Sequence, residues 1–469
     1  MSNDTLFVDL LDGSLTTILS RRARRLLGRL SRLVAVVAVV AMFGPFLTVQ
    51  ASAQAGATLE IAAFQGGYGI EWLKEIAARF EQEHPGVKVE VWGNPRVWEQ
   101  LRPRFISGNP PDLVAPGWGF DVWSAIYEGQ VQPLDDLLGS PAVGQEGRWM
   151  DTFIQDLWAP MAWEGHYYIM PLFMNIFSWW YDEALWQKEG WQVPETWEQF
   201  VAVADAIKQA GYYPISVQGV DFQYLNYGLL LPTVARLGGM QVLEDAFNLK
   251  PGAWQHPAFV QAARIWQDAA REYFPPGWEG ANHTESQMLL VLDQTAMLPV
   301  GSWLPSEMAN VTPPTTRLRA MTLPSFGRPD GVMALPVESD QPTNFLIPSK
   351  AKNPELAGEF LKFMTSPEMA RIIVEATGAP LAVRGSEEAL PSEAVRSAVA
   401  LLAKTEATYD FRNTVEIWYP QIWQAMVDAG AALLQGQISP EEWARRLEQA
   451  ATSVRNDAKI PKHHLALGT

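Results

Sequence analysis

The sequence predicts an α/β fold in which mainly parallel sheets are flanked by helices, and three successive strand-and-helix pairs support this. The segment TLEIAAF at 58–64 has a strand pattern, and a helix with one apolar face follows it and ends at 84–86. A second strand and helix occupy 87–105, and a third pair begins with PDLVAP at 111–116. Strands that alternate with helices of this length imply parallel pairing with helices on the faces of the sheet.

The second half of the chain keeps the same alternation. Thr196 and Gln199 have the spacing of a capping box and predict a helix that ends before Gly211. Asn353 followed by Pro354 predicts another helix start. The segment 310–344 is rich in Pro and Thr and has little helical period, so we predict that it crosses between two domains.

The first 55 residues have the pattern of an export signal. Residues 21–32 carry six arginines and no acid, residues 33–47 are apolar, and the small residues ASAQAGA follow. This order is typical of a secretory signal, and the apolar stretch is shorter than the roughly 20 residues that span a bilayer. We predict that 1–55 is a signal peptide removed on export to the periplasm or cell surface. An uncleaved leader that acts as an anchor is the alternative.

The composition restricts the classes of partner and of site. The 469 residues include 52 acidic and 35 basic side chains, for a formal net charge of −17. Such a surface repels nucleic acid and anionic lipid, so we predict a neutral or cationic ligand and no nucleic-acid partner. The chain has no cysteine, which excludes disulfides, thiolate metal sites and a lipid anchor on Cys.

Tryptophan is unusually abundant, and signatures of catalysis are weak. All 20 tryptophans follow residue 56, which suggests an aromatic surface facing a ligand as well as a core. The Gly-rich FQGGYG at 64–69 lacks the spacing of a phosphate loop, and G-x-S-x-G does not occur. The histidines of the body stand apart in sequence. We therefore predict no enzyme, no cofactor and no metal site.

Aromatic and amide side chains follow the first three predicted strands. Tyr68 comes after the first strand, Asn94 after the second, and Trp118 after the third. Ligands of doubly wound sheets bind beyond the carboxyl ends of the strands, so these three residues are candidate ligand contacts. The alternative for each is a role in the turn alone.

The segment LPVGSWLPSEM at 298–308 provides the strongest single candidate. A buried strand, Ala296–Val300, is followed by Gly301-Ser302, which lets the backbone leave the sheet just before Trp303. A flat indole suits the C–H face of a pyranose ring, whose hydroxyls need planar polar partners. Candidates for those partners, near predicted strand ends or breaks, are Asn175, Asp221, Asn344 and Arg412. A Trp packed beneath the loop is the alternative.

Several long segments together resemble a known family. They include GIEWLKEIAARFEQEHPGVKVEV, SGNPPDLVAPGWGFDVW, WEGHYYIMPLFMNIFSWWYDEALWQKEGWQVPETWEQF, QTAMLPVGSW and IPSKAKNPELAGEFLKFMTSPEMARIIVEATGAPL. In this order they resemble the family-one extracellular solute-binding proteins of carbohydrate ABC importers. The stretch FSWWYDEALWQKEGW with GSWLPSEM is similar to members assigned to N-acetylglucosamine or chitobiose.

The resemblance implies a periplasmic-binding-protein fold, in which two α/β lobes close on a ligand like a flytrap and are joined by three crossings. We expect the crossings near 173–176, 335–344 and 400–410. The implied N-terminal lobe comprises 58–174 and 345–402, and the implied C-terminal lobe comprises 175–344 and 403–455. The remaining tail, 456–469, is predicted to be frayed.

The resemblance also implies site residues and a function. Trp303 corresponds to the sugar-stacking Trp of the family, and Trp118 lies in a loop that often contributes an aromatic. Phe222 and Tyr224 lie where many members place an aromatic facing the ligand, and Arg412 lies in a region near the cleft. The implied protein is a monomeric carrier that delivers a neutral sugar to membrane permease subunits. Alternatives are a binder of polyamines, glycerol phosphates or iron, and a secreted glycosidase.

Overall fold

The structure, a computed structural model, describes residues 56–467 except 118, 155–156 and 329–330. The predicted signal peptide and Trp118 therefore lie outside the described residues. The strands are β1 Thr58–Phe64, β2 Lys88–Asn94, β3 Leu113–Ala115, β4 Ala162–Trp163, β5 His166–Tyr167, β6 Met174–Asp182, β7 Tyr213–Ile215, β8 Thr295–Gly301, β9 Leu318–Met321, β10 Ala334–Ser339 and β11 Ala407–Tyr409.

The helices of the first half of the chain are α1 Glu71–Glu83, α2 Val97–Ser107, α3 Val122–Tyr127, α4 Asp135–Gly139, α5 Glu183–Glu189, α6 Trp197–Gln209, α7 Gln223–Leu225 and α8 Leu231–Gly238. Those of the second half are α9 Met240–Phe247, α10 Pro257–Tyr273, α11 His283–Val291, α12 Leu304–Glu307, α13 Pro354–Met364, α14 Pro367–Thr377, α15 Glu393–Val399, α16 Pro420–Leu434 and α17 Pro440–Asn456. Single π-helical turns occupy Asn226–Leu230 and Arg412–Glu416.

The first lobe is built on a parallel sheet with strand order β2-β1-β3, as the alternating pattern predicts. The chain returns to this sheet after residue 344, where Leu346 bridges Val114 in the antiparallel sense. Helix α1 packs its apolar face on the sheet and meets α13, where the ring of Phe80 lies edge-on to Phe360 at 5.2 Å. This packing joins 58–173 to the later segment through one apolar core.

The second lobe is built on a sheet with strand order β11-β10-β6-β8-β7, and β9 also pairs with β6. Two strand pairs are parallel, but β6 runs antiparallel to β8, β9 and β10. The sheet is therefore mixed, and the prediction of mainly parallel pairing is wrong for this lobe. An apolar run such as that of β6, buried on both faces, identifies a central strand but carries no information about its direction.

The chain passes between the two sheets three times, and the first two passages lie side by side. The first leads into β6, and the second leaves β10, where the amide of Asp340 donates to the carbonyl of Phe173 at 2.9 Å. The third precedes α15, which packs on the second sheet, and the chain then enters β11 beside β10. Adjacent strands that connect two rigid lobes are a suitable hinge, because small changes at a few residues rotate one lobe against the other.

Helix α15 and the C-terminal segment differ from their predicted places. Ala398 of α15 packs with Trp180 and Leu298 of the second sheet, although the prediction grouped residues up to 402 with the first lobe. The tail is also not frayed over its described part, because Leu465 and Leu467 are buried with His463. Three buried side chains at alternate positions anchor this segment. Among the described residues, no helix has the length and apolarity needed to cross a membrane.

Candidate ligand-binding cleft

A cleft of about 510 Å³ lies between the two lobes, and residues of both lobes line it. Five of the ten predicted contact residues are among them: Tyr68, Asn175, Tyr224, Trp303 and Arg412. The walls come from the turn after β1, the ends of β6 and β8, the segment after β10, and the π-helical turn that begins at Arg412. The cleft is thus formed where strands end, as expected for a ligand site in this fold class.

The first-lobe wall is aromatic and rests on the Gly-rich turn after β1. Tyr68 packs on Phe173 with ring centroids 4.6 Å apart, and Trp72 meets the same ring edge-on at 5.5 Å. Gly66 lets the ring of Phe64 lie against the turn, because a Cβ at this position would overlap that ring. Gly69 has a φ of +63°, which favours glycine. FQGGYG therefore forms a tight turn that presents rings to the cleft.

Acids of the second lobe share the cleft with Tyr68 of the first lobe. Burial raises the pKa of Tyr68, and the carboxylates of Asp340 and Glu307 in the second lobe raise it further. Tyr68, Glu307 and Asp340 all line this cleft.

Trp303 lies at the end of β8 and is half-buried in the second-lobe wall. Its indole folds back over Gly301, where a Cβ would overlap the ring. Phe177 supports the indole edge-on at 5.1 Å, and Tyr224 lies 5.7 Å away. Gly301 thus does more than release the backbone from the sheet, because its missing side chain makes the space that the indole occupies.

Arg412 and Asn175 are held at the base of the cleft by one buried carboxylate. Glu338 Oε1 accepts from Arg412 Nη1 at 3.0 Å and lies 3.4 Å from Asn175 Nδ2. Burial raises the pKa of Glu338 to about 7, and the charge of Arg412 offsets only part of this effect. Because Glu338 is sequestered behind both side chains, it orients them toward the cleft.

Two further acids line the cleft, and each has a local partner. Asp340 accepts from the hydroxyl of Thr343 at 3.0 Å, and burial raises the pKa of Asp340. Glu307 accepts from Nε2 of Gln287 at 2.8 Å and is within 2.8 Å of His283 Nε2. Burial raises the pKa of Glu307, but the hydrogen bonds from His283 and then Gln287 outweigh burial and lower it. Both acids retain lone pairs that can accept from ligand hydroxyls.

Four predicted contact residues lie away from the cleft lining, and each has a structural role. Asn94 Oδ1 accepts from the amide of Arg96 at 2.8 Å, which is turn chemistry. Asp221 accepts from the amide of His283 at 2.8 Å and so supports the start of α11. Phe222 is buried, and its ring occupies the space that a side chain at 430 would need. Asn344 is buried and donates to Ser339 Oγ.

Trp118 cannot be placed, because it lies outside the described residues. Several lining residues were not predicted, among them Phe64, Trp72, Glu307 and Asp340. Trp72 carried a usable signal, since it is a large aromatic beside the predicted apolar face of its helix. Glu307 and Asp340 carried no such signal, because nothing in the sequence distinguishes them from the other acids among the 52.

Among the described residues, no group of three or more His, Asp or Glu side chains could hold a metal ion.

A sequence profile of bacterial extracellular solute-binding proteins matches residues 66–371. The chain belongs to this family. This solute-binding protein is 27% identical over 427 residues to the diacetylchitobiose-binding protein NgcE of Streptomyces coelicolor, and the match covers 87% of each chain. It is 22% identical over 378 residues to the multiple sugar-binding protein of Streptococcus mutans, with 76% of this chain and 80% of that one covered.

The structure of this solute-binding protein also superposes on a solved relative. The apo form of RafE from Streptococcus pneumoniae matches with a TM-score of 0.69 and 21% identity, over 85% of this chain and 98% of that one. This likeness confirms the predicted two-lobed α/β fold.

Proposed function

We propose that the chain is the binding component of an ABC importer and captures a neutral sugar or oligosaccharide between its lobes. In this proposal it is an exported, monomeric carrier that performs no chemistry on its ligand and delivers it to permease subunits in a membrane. Membership of an extracellular solute-binding family supports export. The chain has no cysteine, so retention at a surface would not use a lipidated Cys. The net charge of −17 argues against a nucleic-acid partner.

The observation that carries the proposal is the pairing of aromatic rings with planar polar groups in one cleft. Tyr68 belongs to the first-lobe wall and Trp303 to the second-lobe wall, and Asn175 and Arg412 line the same cleft. A pyranose presents C–H faces that stack on rings and hydroxyls that both donate and accept. The donors of Arg412 and Asn175 and the acceptors of the cleft carboxylates match both kinds of hydroxyl contact.

Diacetylchitobiose is the first ligand to test, because the relative from Streptomyces coelicolor is named for it. Other oligosaccharides are the next candidates. Binding would stabilise the arrangement in which both walls contact the sugar, and the ligand shifts the balance of lobe arrangements only by its differential affinity for that state. A shift from 1:99 to 99:1 requires about 5.5 kcal/mol of such preference.

A thermal-shift screen followed by titration calorimetry tests the proposal on the chain without residues 1–55. We expect sugars to raise the melting temperature, and Trp303→Ala to weaken binding at least about tenfold with little change in the melting temperature of the free protein. Trp197→Ala is the matched control, because Trp197 is also half-buried but packs on Phe326, outside the cleft lining.

Other outcomes of the same screen would contradict the proposal. Stabilisation by polyamines, glycerol phosphates or iron, with no response to any sugar, would identify a different solute. Turnover of a chromogenic glycoside that one carboxylate substitution abolishes would identify a glycosidase. Equal losses of stability and binding in Trp303→Ala would indicate that this Trp serves the core alone.

A further inference from the structure

The C-terminal segment 457–467 is attached to the second lobe through several hydrogen bonds. The side chain of Asn248, which follows α9, makes two hydrogen bonds with the backbone of Leu465. Its Nδ2 donates to the Leu465 carbonyl at 2.6 Å, and its Oδ1 accepts from the backbone amide of Leu465 at 2.7 Å. The amide of Leu467 donates to Glu244 at 3.0 Å. The amide of His463 donates to the hydroxyl of Tyr419 at 2.9 Å. These bonds fix the path of the segment along this lobe.

The side chain of His463 extends from this attachment to the first lobe. One face of the imidazole stacks on Trp418 of the second lobe, with centroids 4.1 Å apart and planes 6° from parallel. Of the other rings, the two closest belong to the first lobe, Trp163 at 4.7 Å and Trp123 at 4.8 Å, whereas Tyr419 of the second lobe lies 6.3 Å away. Nε2 of His463 is hydrogen-bonded to the hydroxyl of Tyr127 at 2.6 Å. The imidazole thus lies in an aromatic cage whose sides come from both lobes.

The cage is connected to both walls of the cleft. Trp123 and Tyr127 lie on α3, which follows the loop that begins at the cleft residue Ala115. Trp418 follows the π-helical turn that begins at Arg412, which lines the other wall. A rotation of one lobe would separate Nε2 from the Tyr127 hydroxyl and move the first-lobe rings off the imidazole. The bonds to Asn248, Glu244 and Tyr419 would survive, because both of their ends lie in one lobe.

We propose that residues 457–467 form an inter-lobe clasp that stabilises the lobe arrangement seen here, in which the two walls of the cleft face each other. Contacts made in one arrangement and lost in another shift the balance toward the first. The clasp would therefore raise the fraction of free protein that is ready to bind, and apparent affinity scales with that fraction. The effect on affinity rests on the proposed function, whereas the effect on lobe arrangement does not.

The test compares three variants of the chain that lacks residues 1–55. His463→Ala removes the side chain from the cage, and Tyr127→Phe removes one hydroxyl from its first-lobe side. His464→Ala is the matched control, because His464 is the exposed neighbour of His463 and lies outside the cage. Small-angle X-ray scattering of the ligand-free proteins reports lobe separation, and calorimetry with diacetylchitobiose reports affinity.

We expect His463→Ala to increase the radius of gyration of the free protein and to weaken sugar binding by roughly threefold to tenfold. Tyr127→Phe should change both quantities in the same direction by a smaller amount, and His464→Ala should change neither. Saturating sugar should bring all variants to one radius of gyration.

The clasp is refuted if His463→Ala and Tyr127→Phe both scatter as the wild type does in the free state. A lower melting temperature without a change in scattering would likewise refute it, because the segment would then support only the second lobe. If the wild type binds no diacetylchitobiose, the proposed ligand is wrong, and the scattering comparison still decides whether the clasp exists.

Discussion

The two walls of the cleft are built on different principles. The first-lobe wall consists of rings, Tyr68 and Trp72, carried by a turn whose glycines allow the backbone to bend sharply. The second-lobe wall carries Trp303 together with charged groups that neighbours already hold, such as Arg412 by Glu338 and Glu307 by Gln287. Aromatic rings make apolar contacts that depend little on the orientation of the ligand. Charged groups held in place make directional hydrogen bonds, so they favour ligands whose hydroxyls are at matching positions.

This difference suggests a division of work between the lobes. A buried polar group that loses its ligand partner costs about 1–3 kcal/mol, so the second wall should distinguish between sugars. The first wall should add affinity for any sugar with an exposed C–H face. Substitutions on the second wall are accordingly expected to have the larger effects, in the order given below.

Arg412→Met should have the largest effect. The substitution leaves Glu338 buried without its cation, and breaking a buried ion pair on one side costs about 3–5 kcal/mol. We expect sugar affinity to fall more than about a hundredfold and the free energy of unfolding to decrease. Calorimetry and urea denaturation measure the two effects. Arg371→Met is the control, since Arg371 forms only an exposed pair with Glu375. Unchanged affinity in Arg412→Met would show that the base of the cleft does not contact the ligand.

Tyr68→Ala should have an intermediate effect of about tenfold on sugar affinity, because it removes apolar cover from the first wall. Tyr68→Phe keeps the ring and should lose threefold or less. If Tyr68→Phe loses as much as Tyr68→Ala, the hydroxyl provides the contact, and the proposed contrast between the walls is wrong. Calorimetry with several oligosaccharides would also show whether the loss is equal for all of them.

The pH dependence of stability should differ between acids of the two lobes. In the second lobe, burial raises the pKa of Glu416 from 4.5 to about 8 and that of Asp410 from 3.8 to about 6. Between the unfolded and folded values the native state binds more protons than the unfolded state. The free energy of unfolding should therefore fall as pH rises from about 4 to 8, by at most about 1.4 kcal/mol per pH unit for each group.

Glu60 of the first lobe should have the opposite effect on stability. The hydrogen bond from Arg104 lowers the pKa of Glu60 despite partial burial, so the stability that this pair contributes is lost only below about pH 4.5. Thermal melts from about pH 2 to 9 measure the sum of these effects. Glu416→Gln, which keeps the shape of a side chain bonded to Tyr227, should flatten the decline between pH 5 and 8. An unchanged slope would contradict the assignment to Glu416.

Asn94→Ala should have the smallest effect. Asn94 is the last residue of β2, whereas Tyr68 lies in the turn after β1, and the Asn94 side chain accepts from the amide of Arg96 within its own turn. We expect unchanged sugar affinity and a loss of stability of at most about 1 kcal/mol. A clear loss of affinity would place this turn in contact with the ligand after all.

The comparison of Tyr68 with Asn94 also shows what sequence can predict about the site. Both residues lie at or just beyond the carboxyl end of a strand in one parallel sheet, and that placement follows from the alternating pattern. Whether a polar side chain faces the cleft or bonds to its own turn depends on local dihedral angles, which the pattern does not specify. The aromatic candidates Tyr68, Tyr224 and Trp303 line the cleft, whereas Phe222 turns inward because Gly430 leaves room for its ring.

Long-range pairing explains the remaining differences. Capping boxes and strand runs depend on neighbouring residues, and the box of Thr196 and Gln199 forms as predicted. The antiparallel course of β6 depends instead on contacts with strands more than a hundred residues away. Glu338 was not predicted for the same reason, since only its approach to Arg412 distinguishes it from the other acids.

The burial of Leu465 and Leu467 has a practical consequence for handling the protein. A purification tag or fluorescent reporter fused after Thr469 would begin three residues beyond Leu467, whose side chain is buried, and close to the cage of His463. Such a fusion would disturb residues 457–467, the proposed clasp between the lobes. Gly56 is exposed at the other end of the described chain, so a fusion partner placed there would leave the C-terminal packing undisturbed.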